Sequence, residues 1–162
     1  MSFLGDIETW GDLQEKVRKY LIHSCTQHVS SHVKDTFTIL EHNLLESIHD
    51  DITQTCDKLE KEKENHAGKK NYHTMIAYYF YDMAKTWKEI RRIMKKNSQV
   101  CFIVGDSAPY GIHVPVETWL GKLAISAGFS SFTFEKTRDR NVKWKNRKHR
   151  VPLQEGRLWI KG

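Results

Sequence analysis

The chain has 162 residues, of which 39% are hydrophobic and 28% are charged, a balance that suits one packed domain and excludes wholesale disorder. The sequence contains no apolar run near the ~20 residues that span a bilayer and no basic start typical of a signal peptide, so we expect a cytoplasmic protein without a membrane partner. The net charge is +6, and three widely spaced cysteines argue against a disulfide framework.

The first two thirds of the chain are predicted to be helical. Asp12 can cap a first helix with one apolar face, formed by Leu13, Val17, Tyr20 and Leu21. A second helix is predicted to begin near Asp35 and to carry one apolar stripe, formed by Phe37, Leu40, Leu44, Ile48, Ile52 and Leu59. Gly68 marks a break, and a third helix with a wide apolar face is predicted over residues 72–96, with Asn97 as its stop.

The pattern changes after the third helix. Residues 100–104 form a continuous apolar run, typical of a strand buried on both faces of a parallel sheet. A helix is predicted over 116–127, and two alternating strands over 129–135 and 156–161. This order predicts half of a doubly wound α/β sheet. Because a strand in the middle of a sheet needs two neighbours, something outside this chain must cover its second edge.

The loop between the last two strands holds most of the charge. Residues 136–150 contain eight of the 26 basic residues and one acid, so this stretch carries +7 and the rest of the chain −1. Such a localised cluster indicates a polyanion contact, although a solvated loop or a localisation signal would have the same composition. The predicted nucleic-acid contacts are Lys136, Arg138, Arg140, Lys143, Lys145, Asn146, Arg147, Lys148 and Arg150. Trp144, surrounded by these cations, is suited to stacking on an unpaired base.

Gly-Asp-Ser at residues 105–107 ends the apolar strand at its carboxyl edge, where open α/β sheets bind ligands. Asp106 and Ser107 can hydrogen-bond a substrate there, but the same residue types also favour a simple turn. Ser-Ala-Pro-Tyr at 107–110 is similar to the Asp/Asn/Ser-Pro-Pro-Tyr tetrapeptide of amino-methyltransferases, with Ala in place of the first Pro. Only one helix separates this tetrapeptide from the two closing strands. We therefore interpret residues 100–104 as the strand that follows the catalytic strand, and not as the catalytic strand itself.

Four possible metal ligands lie near the N-terminus, namely His23, Cys25, His28 and His32. They lack an accompanying Cys-x-x-Cys pair, so polar helix positions explain them better than zinc, and we assign no metal site. A glycine-rich phosphate loop and a Ser-His-Asp arrangement are also absent from the sequence. No residue is therefore assigned a catalytic role.

Five segments resemble successive blocks of bacterial and archaeal DNA methyltransferases that modify an exocyclic amino group of cytosine or adenine. The segments are Trp-Gly-Asp-Leu-Gln (10–14), Ser-Cys-Thr-Gln-His (24–28), Val-Gly-Asp-Ser (104–107), Ile-His-Val-Pro (112–115) and Arg-Lys-His-Arg-Val-Pro-Leu-Gln-Glu (147–155). The resemblance implies a Rossmann-like class I methyltransferase fold. This chain would be the C-terminal half of its sheet (72–162, with a closing hairpin) after an N-terminal helical insertion (1–71).

The resemblance also implies a division of roles. Members of the family bind S-adenosylmethionine through a glycine-rich motif and catalyse through the Pro-Pro-Tyr tetrapeptide, and neither motif occurs here. The donor site would lie mostly outside this chain, which would be inactive until joined by an N-terminal methyltransferase chain or by self-association. Asp106, Ser107, Tyr110 and Trp144 are the candidate residues of the base pocket, and duplex DNA is the expected partner. Two alternatives stay open: a non-catalytic DNA-binding or regulatory remnant, and an RNA methyltransferase of similar fold.

Overall fold

The computed structural model describes residues 7–27, 29, 36–67, 70–140 and 151–162. This part of the chain combines helices with one three-stranded antiparallel sheet, so the protein is of mixed α/β class. Within those ranges, no helix is both long enough and apolar enough to cross a lipid bilayer.

The N-terminal helix is shorter than the sequence predicts. Helix α1 (Trp10–Asp12) is capped by Thr9, whose Oγ1 accepts a 3.1 Å hydrogen bond from the backbone N–H of Asp12, so Asp12 is not the cap. A π-helical and a 3₁₀ segment follow over residues 13–20. Because these segments differ from an α-helix in residues per turn, apolar side chains four apart no longer share a face, and Tyr20 is 77% exposed.

The predicted second helix is divided into α2 (Thr36–Leu40), a 3₁₀ helix (Asn43–Ile48) and α3 (His49–Lys63). Four members of its predicted stripe are buried, namely Leu40, Ile48, Ile52 and Leu59. Phe37 is 42% exposed, contrary to the prediction, and Leu45, which the stripe omitted, is fully buried. The 3₁₀ helix has three residues per turn, which shifts the phase of the buried face between α2 and α3.

Helix α4 (Tyr72–Ile93) is the long helix with a wide apolar face that the periodicity predicts. Its buried residues include Ile76, Phe80, Met83 and Trp87. The helix ends three residues before the predicted boundary, and Asn97 adopts a left-handed conformation (φ 65°) in the turn that follows. Asparagine tolerates this conformation better than most residues, so it suits a turn that leads into a strand.

The sheet has the order β1 (Gln99–Gly105), β3 (Leu153–Lys161), β2 (Ser131–Arg140). β3 is antiparallel to both neighbours, so β1 and β2 run parallel to each other with β3 between them. Helix α5 (Val116–Ser126) connects β1 to β2 and packs on the sheet. The predicted strand, helix and closing hairpin are thus present, whereas the sheet is small and its neighbouring strands are antiparallel.

The prediction that residues 100–104 are buried on both faces is wrong for the described chain. On the inner face, the ring centroids of Phe102 and Trp87 are 4.8 Å apart, and Val104 is buried. On the outer face, Ile103 is 67% exposed and Cys101 is also exposed. The cause is the layering, because the described helices α4 and α5 pack against one face of the strand only.

The hairpin strands are longer than predicted. Pairing extends to Arg140 opposite Leu153, with a bulge between Lys136 and Arg138, so residues 136–140 belong to β2 rather than to the loop. Cross-strand ion pairs, including Arg138 with Glu155 at 2.8 Å, support this charged extension. The connection between the strands is correspondingly shorter, and residues 141–150 lie outside the described part.

A single hydrophobic core joins the two regions into which the sequence was divided. Residues from 40–59 pack in the same cluster as Phe80 and Trp87 of α4, Trp119 of α5 and Leu158 of β3. The Phe80 and Trp119 rings meet edge to face at 5.0 Å. The core lies between the helices and the inner face of the sheet.

Candidate functional site

Asp106 is the first residue after β1, and its side chain is almost completely buried. Its backbone N–H donates to the carbonyl of Gln154 at 3.0 Å, which holds it against β3. The loop that follows folds back on itself, since Ser107 and Val114 form an isolated antiparallel bridge. The loop brings His113 close to Asp106, and Nε2 of His113 donates a hydrogen bond to Asp106 Oδ2 at 2.9 Å. Asp106 therefore has a defined orientation beneath the loop.

A second buried carboxyl group, Glu117 in the first turn of α5, adjoins Asp106. Burial, and next the neighbouring Asp106 carboxyl, raise the pKa of Glu117 to about 7. Asp106 Oδ1 and Glu117 Oε2 are both buried and have no hydrogen-bond donor among the described residues. A carboxylic acid can donate a hydrogen bond, whereas a carboxylate can only accept one. A proton on Glu117 gives the two carboxyl groups a hydrogen-bond donor that a pair of carboxylates would lack, in agreement with the raised pKa of Glu117.

Arg140 attaches the cationic hairpin to this carboxyl pair. Its Nη1 donates a 2.8 Å hydrogen bond to the main-chain carbonyl of Asp106. Glycine at position 105 permits this approach, because a Cβ there would lie 2.7 Å from Arg140 Nη1. On the other strand, Gln154 Nε2 donates to Glu117 Oε1 at 3.4 Å. Both strands of the hairpin therefore contact the carboxyl pair, β2 at the Asp106 carbonyl and β3 at the Glu117 side chain.

The other described cations of the predicted DNA-binding set also have partners. Arg138 pairs with Glu155 at 2.8 Å, and Lys136 with Asp139 at 2.6 Å. These pairs are exposed, so they are weak and leave the cations able to contact phosphates. Six predicted DNA contacts and the predicted stacking residue lie outside the described residues, namely Lys143, Lys145, Asn146, Arg147, Lys148, Arg150 and Trp144.

A cavity of about 240 Å³ lies at the same end of β1. The residues that line it come from three parts of the chain: His23 and Ser24; Met75, Ile76, Tyr79 and Phe80 of α4; and Gly105, Ser107, Val114 and Val116. Its surface is mainly apolar, with imidazole and hydroxyl groups among the lining residues, which is the usual composition of a small-molecule pocket. His23 is held by Asp82, whose Oδ2 lies 2.7 Å from His23 Nδ1.

Of the three predicted base-pocket residues within the described ranges, Ser107 alone lines this cavity. Asp106 lies behind it in the carboxyl pair. Tyr110 lies elsewhere: its ring stacks on His66 at 4.1 Å, and its hydroxyl accepts from Lys70 N (2.9 Å) and donates to Lys70 O (3.2 Å). Tyr110 thus ties the loop after β1 to the connection between α3 and α4.

Two larger clefts lie on the helical side, away from β1. The larger, of about 640 Å³, is lined by residues of the 40–51 region and by Lys122, and it includes the carboxylates of Glu41, Glu46, Asp50 and Asp51. Like charge repels phosphate, so this cleft does not suit a nucleic acid. The second, of about 470 Å³, opens between the 3₁₀ helix, α4 and α5.

The described members of the N-terminal ligand cluster, His23 and Cys25, do not form a metal site. In the described ranges, no group of three or more His, Cys, Asp or Glu side chains is arranged to hold a metal ion. His23 pairs with Asp82, Cys25 is a free thiol, and His28 and His32 lie outside those ranges.

Sequence reasoning missed Glu117, His113 and the anchoring role of Arg140. His113 belongs to the Ile-His-Val-Pro segment on which the family resemblance partly rests, so that segment was a usable signal. Glu117 had none, because an acidic residue in the first turn of a helix is common on protein surfaces. Comparison of the chain with models of protein families, with curated proteins and with solved structures finds no match.

Proposed function

We propose that this chain is the C-terminal part of an S-adenosylmethionine-dependent DNA methyltransferase acting on an exocyclic amine of cytosine or adenine. In this role it supplies a phosphate-binding hairpin and the far wall of a pocket for the target base. The observation that carries the proposal is the 2.8 Å contact of Arg140 with Asp106, because it joins the cationic hairpin to the strand end beside the cavity.

The cavity supports the base-binding part of the proposal. An amine inside a duplex is inaccessible, so the base must be extruded into a protein pocket. Tyr79, Phe80 and Val116 offer apolar and aromatic surface against which a flat ring can pack, and Ser24 and Ser107 offer hydroxyl groups for its edge. Enclosing the base there would also exclude water from the reacting amine.

The size of the cavity is consistent with a methyl-donor site elsewhere. At about 240 Å³ it is smaller than the ~300–1,000 Å³ of pockets that enclose drug-sized ligands, a class that includes S-adenosylmethionine. The donor, when bound, would supply an electrophilic methyl group to the amine. The residues of this chain would bind and orient the base, and we derive no donor contact from them.

Electrostatics support the DNA-binding part. Residues 141–150 contain five Lys or Arg and no acid, and they follow directly on β2, which is anchored at Arg140. A cationic segment on a fixed base can neutralise phosphates along one groove and release their counterions. Phosphate contacts of this kind position a protein on DNA without reading sequence.

Two measurements test the proposal. The purified chain should bind duplex DNA in preference to RNA, with a strong salt dependence, and should bind S-adenosylmethionine poorly by calorimetry. When it is mixed with a polypeptide carrying the glycine-rich motif and the Pro-Pro-Tyr tetrapeptide, methyl transfer to DNA should appear. Micromolar donor binding by the chain alone would refute the divided site, and DNA binding without methylation in any mixture would favour the non-catalytic alternative.

A further inference from the structure

His23 is fixed against helix α4 by Asp82, 59 residues later in the chain. Its Nδ1 lies 2.7 Å from Asp82 Oδ2, and its backbone N–H donates to the same oxygen at 3.3 Å. The other oxygen, Oδ1, pairs with Lys85 Nζ at 3.1 Å. The imidazole also packs on Tyr78, with the two ring centroids 5.1 Å apart. These contacts hold the His23 ring in a defined orientation.

The same contacts decide where the imidazole carries its proton. Asp82 accepts from three donors and so acts as a carboxylate, which can only accept, and the proton between it and His23 therefore belongs to Nδ1. In the neutral ring, Nε2 then bears the lone pair and is an acceptor. Lys85 already balances the charge of Asp82, so a neutral imidazole leaves the group uncharged overall. No described residue hydrogen-bonds to Nε2, which leaves this acceptor for a ligand.

The cavity that His23 lines has few polar groups. Among the described lining residues, none is Asp, Glu, Lys or Arg. Three carry hydroxyl groups, namely Ser24, Tyr79 and Ser107, and His23 carries the only basic nitrogen. Burial raises the pKa of Tyr79, so its hydroxyl stays protonated and can donate. The lining thus combines one fixed acceptor with hydroxyl groups that can donate.

This combination is complementary to the edge of a base that carries an exocyclic amine. In cytosine and adenine the amine is a donor, and the adjacent ring nitrogen is an acceptor. Uracil and hypoxanthine have a carbonyl oxygen where the amine would be, so Nε2 would face a second acceptor. A site built around a hydrogen bond rejects an analogue that leaves its buried polar group unpaired.

We propose that Nε2 of His23 accepts a hydrogen bond from the exocyclic amine of the base in this cavity, and that this bond selects cytosine or adenine over the keto bases. Asp82 is a positioning residue that keeps the lone pair on Nε2. The hydroxyl groups of the lining donate to the ring acceptors of the base. The inference deepens the proposed function and rests on it in one respect, namely that the ligand is an extruded base.

Nitrogen-15 NMR of the full chain tests the hydrogen bond itself. Before ligand is added, His23 should have a protonated Nδ1 and an unprotonated Nε2. Cytidine or adenosine should shift the Nε2 resonance, because the lone pair becomes engaged, whereas uridine or inosine at the same concentration should not. Asp82→Asn should give a mixture of tautomers and a weaker response to the amino nucleosides, which loss of packing alone would not produce.

A ratio of affinities tests the selection in DNA. Duplexes with one unpaired cytosine or adenine should bind about tenfold more tightly than duplexes with uracil or hypoxanthine at the same position. His23→Leu should bring this ratio to about one, and His23→Gln should retain part of it because its carbonyl is an acceptor. The control His49→Leu removes an imidazole that also contacts carboxylates but lies in the acidic cleft, and it should keep the ratio. A loss of stability affects both DNAs equally and cancels in the ratio.

The outcomes separate this inference from the proposed function. A shift of Nε2 with amino nucleosides, without binding to DNA, supports the role of His23 and counts against the function. Methyl transfer to DNA with a ratio that is unchanged in His23→Leu supports the function and overturns the inference. Equal binding of amino and keto bases, a protonated Nε2 in the free chain, or absence of binding by every base also overturns it.

Discussion

Arg140 donates a 2.8 Å hydrogen bond from Nη1 to the main-chain carbonyl of Asp106, 34 residues earlier in the chain. The bond joins the last residue of β2 to the residue that follows β1. A cation that the sequence suggests for phosphate binding is therefore used to hold the hairpin on the sheet. The free energy of this contact, and the roles of the carboxyl pair behind it, can be measured.

Arg140→Ala should destabilise the protein by about 1–2 kcal/mol, because a partly buried carbonyl loses a charged donor. Urea denaturation gives this free energy of unfolding. Arg138→Ala is the control, since Arg138 pairs only at the exposed surface with Glu155, and its loss should cost less than about 1 kcal/mol. Equal costs for the two substitutions would contradict an anchoring role for Arg140.

The cations beyond β2 should account for the salt dependence of DNA binding. Replacing Arg147 and Arg150 with Ala removes two charges and should reduce the slope of log K against log salt by about two. Fluorescence anisotropy at several salt concentrations measures the slope. Removing two exposed charges from α3, in Lys58→Ala with Lys61→Ala, should leave the slope unchanged. An unaltered slope in the arginine variant would exclude these residues from the interface.

Glu117 should make the folded protein less stable as the pH rises. Its pKa is raised from 4.5 to about 7, so its contribution is fully present below pH 4.5 and is lost as the pH rises through 7. Glu117→Gln cannot ionise, and its amide can donate to Asp106 Oδ1. The variant should therefore gain about 1–3 kcal/mol over the native protein between pH 5 and pH 8.

Urea denaturation across this pH range measures that difference. Glu46→Gln, at an exposed position, is the control, and its stability should follow that of the native protein. If the free energies of unfolding of Glu117→Gln and the native protein change in parallel with pH, Glu117 is ionised throughout this range. That result would contradict a proton held on Glu117.

Filling the cavity should weaken the binding of DNA with an extruded base and leave the binding of intact duplex unchanged. Ser107→Leu places a larger side chain in its lining and should weaken binding to DNA with an unpaired base analogue about tenfold, with intact duplex bound as before. A base-analogue fluorescence titration reports the difference. Ser126→Leu adds the same bulk on the exposed end of α5 and should change neither affinity. Parallel losses on both DNAs would point to distortion of the hairpin instead of a blocked pocket.

Tyr110→Phe should act on stability and not on base binding. The substitution removes the hydroxyl that bonds Lys70 N and O but retains the ring stacked on His66, so we expect a loss of about 1 kcal/mol. Thermal denaturation measures the loss, and the base-analogue titration should be unaffected. Selective weakening of base binding would return Tyr110 to the pocket, as the sequence suggested.

Local patterns were sufficient to predict the elements of the C-terminal half. Helix α4, strand β1, helix α5 and the closing hairpin are all visible in periodicity, apolar runs and turn residues, because these signals depend on neighbours within a few positions. The same reasoning failed at Tyr20 and Phe37, where π and 3₁₀ turns changed the phase of an apolar face that only an unbroken α-helix would keep.

The sequence by itself determined the charge of the hairpin, the order of helices and strands along the chain, and the apolar character of β1. Only the tertiary structure decided that β3 lies between β1 and β2, that Glu117 meets Asp106, and that one face of β1 is bare. The reason is distance along the chain: a carboxyl pKa or a strand edge depends on atoms brought together from remote positions, and nothing in their local sequence records which partners they meet.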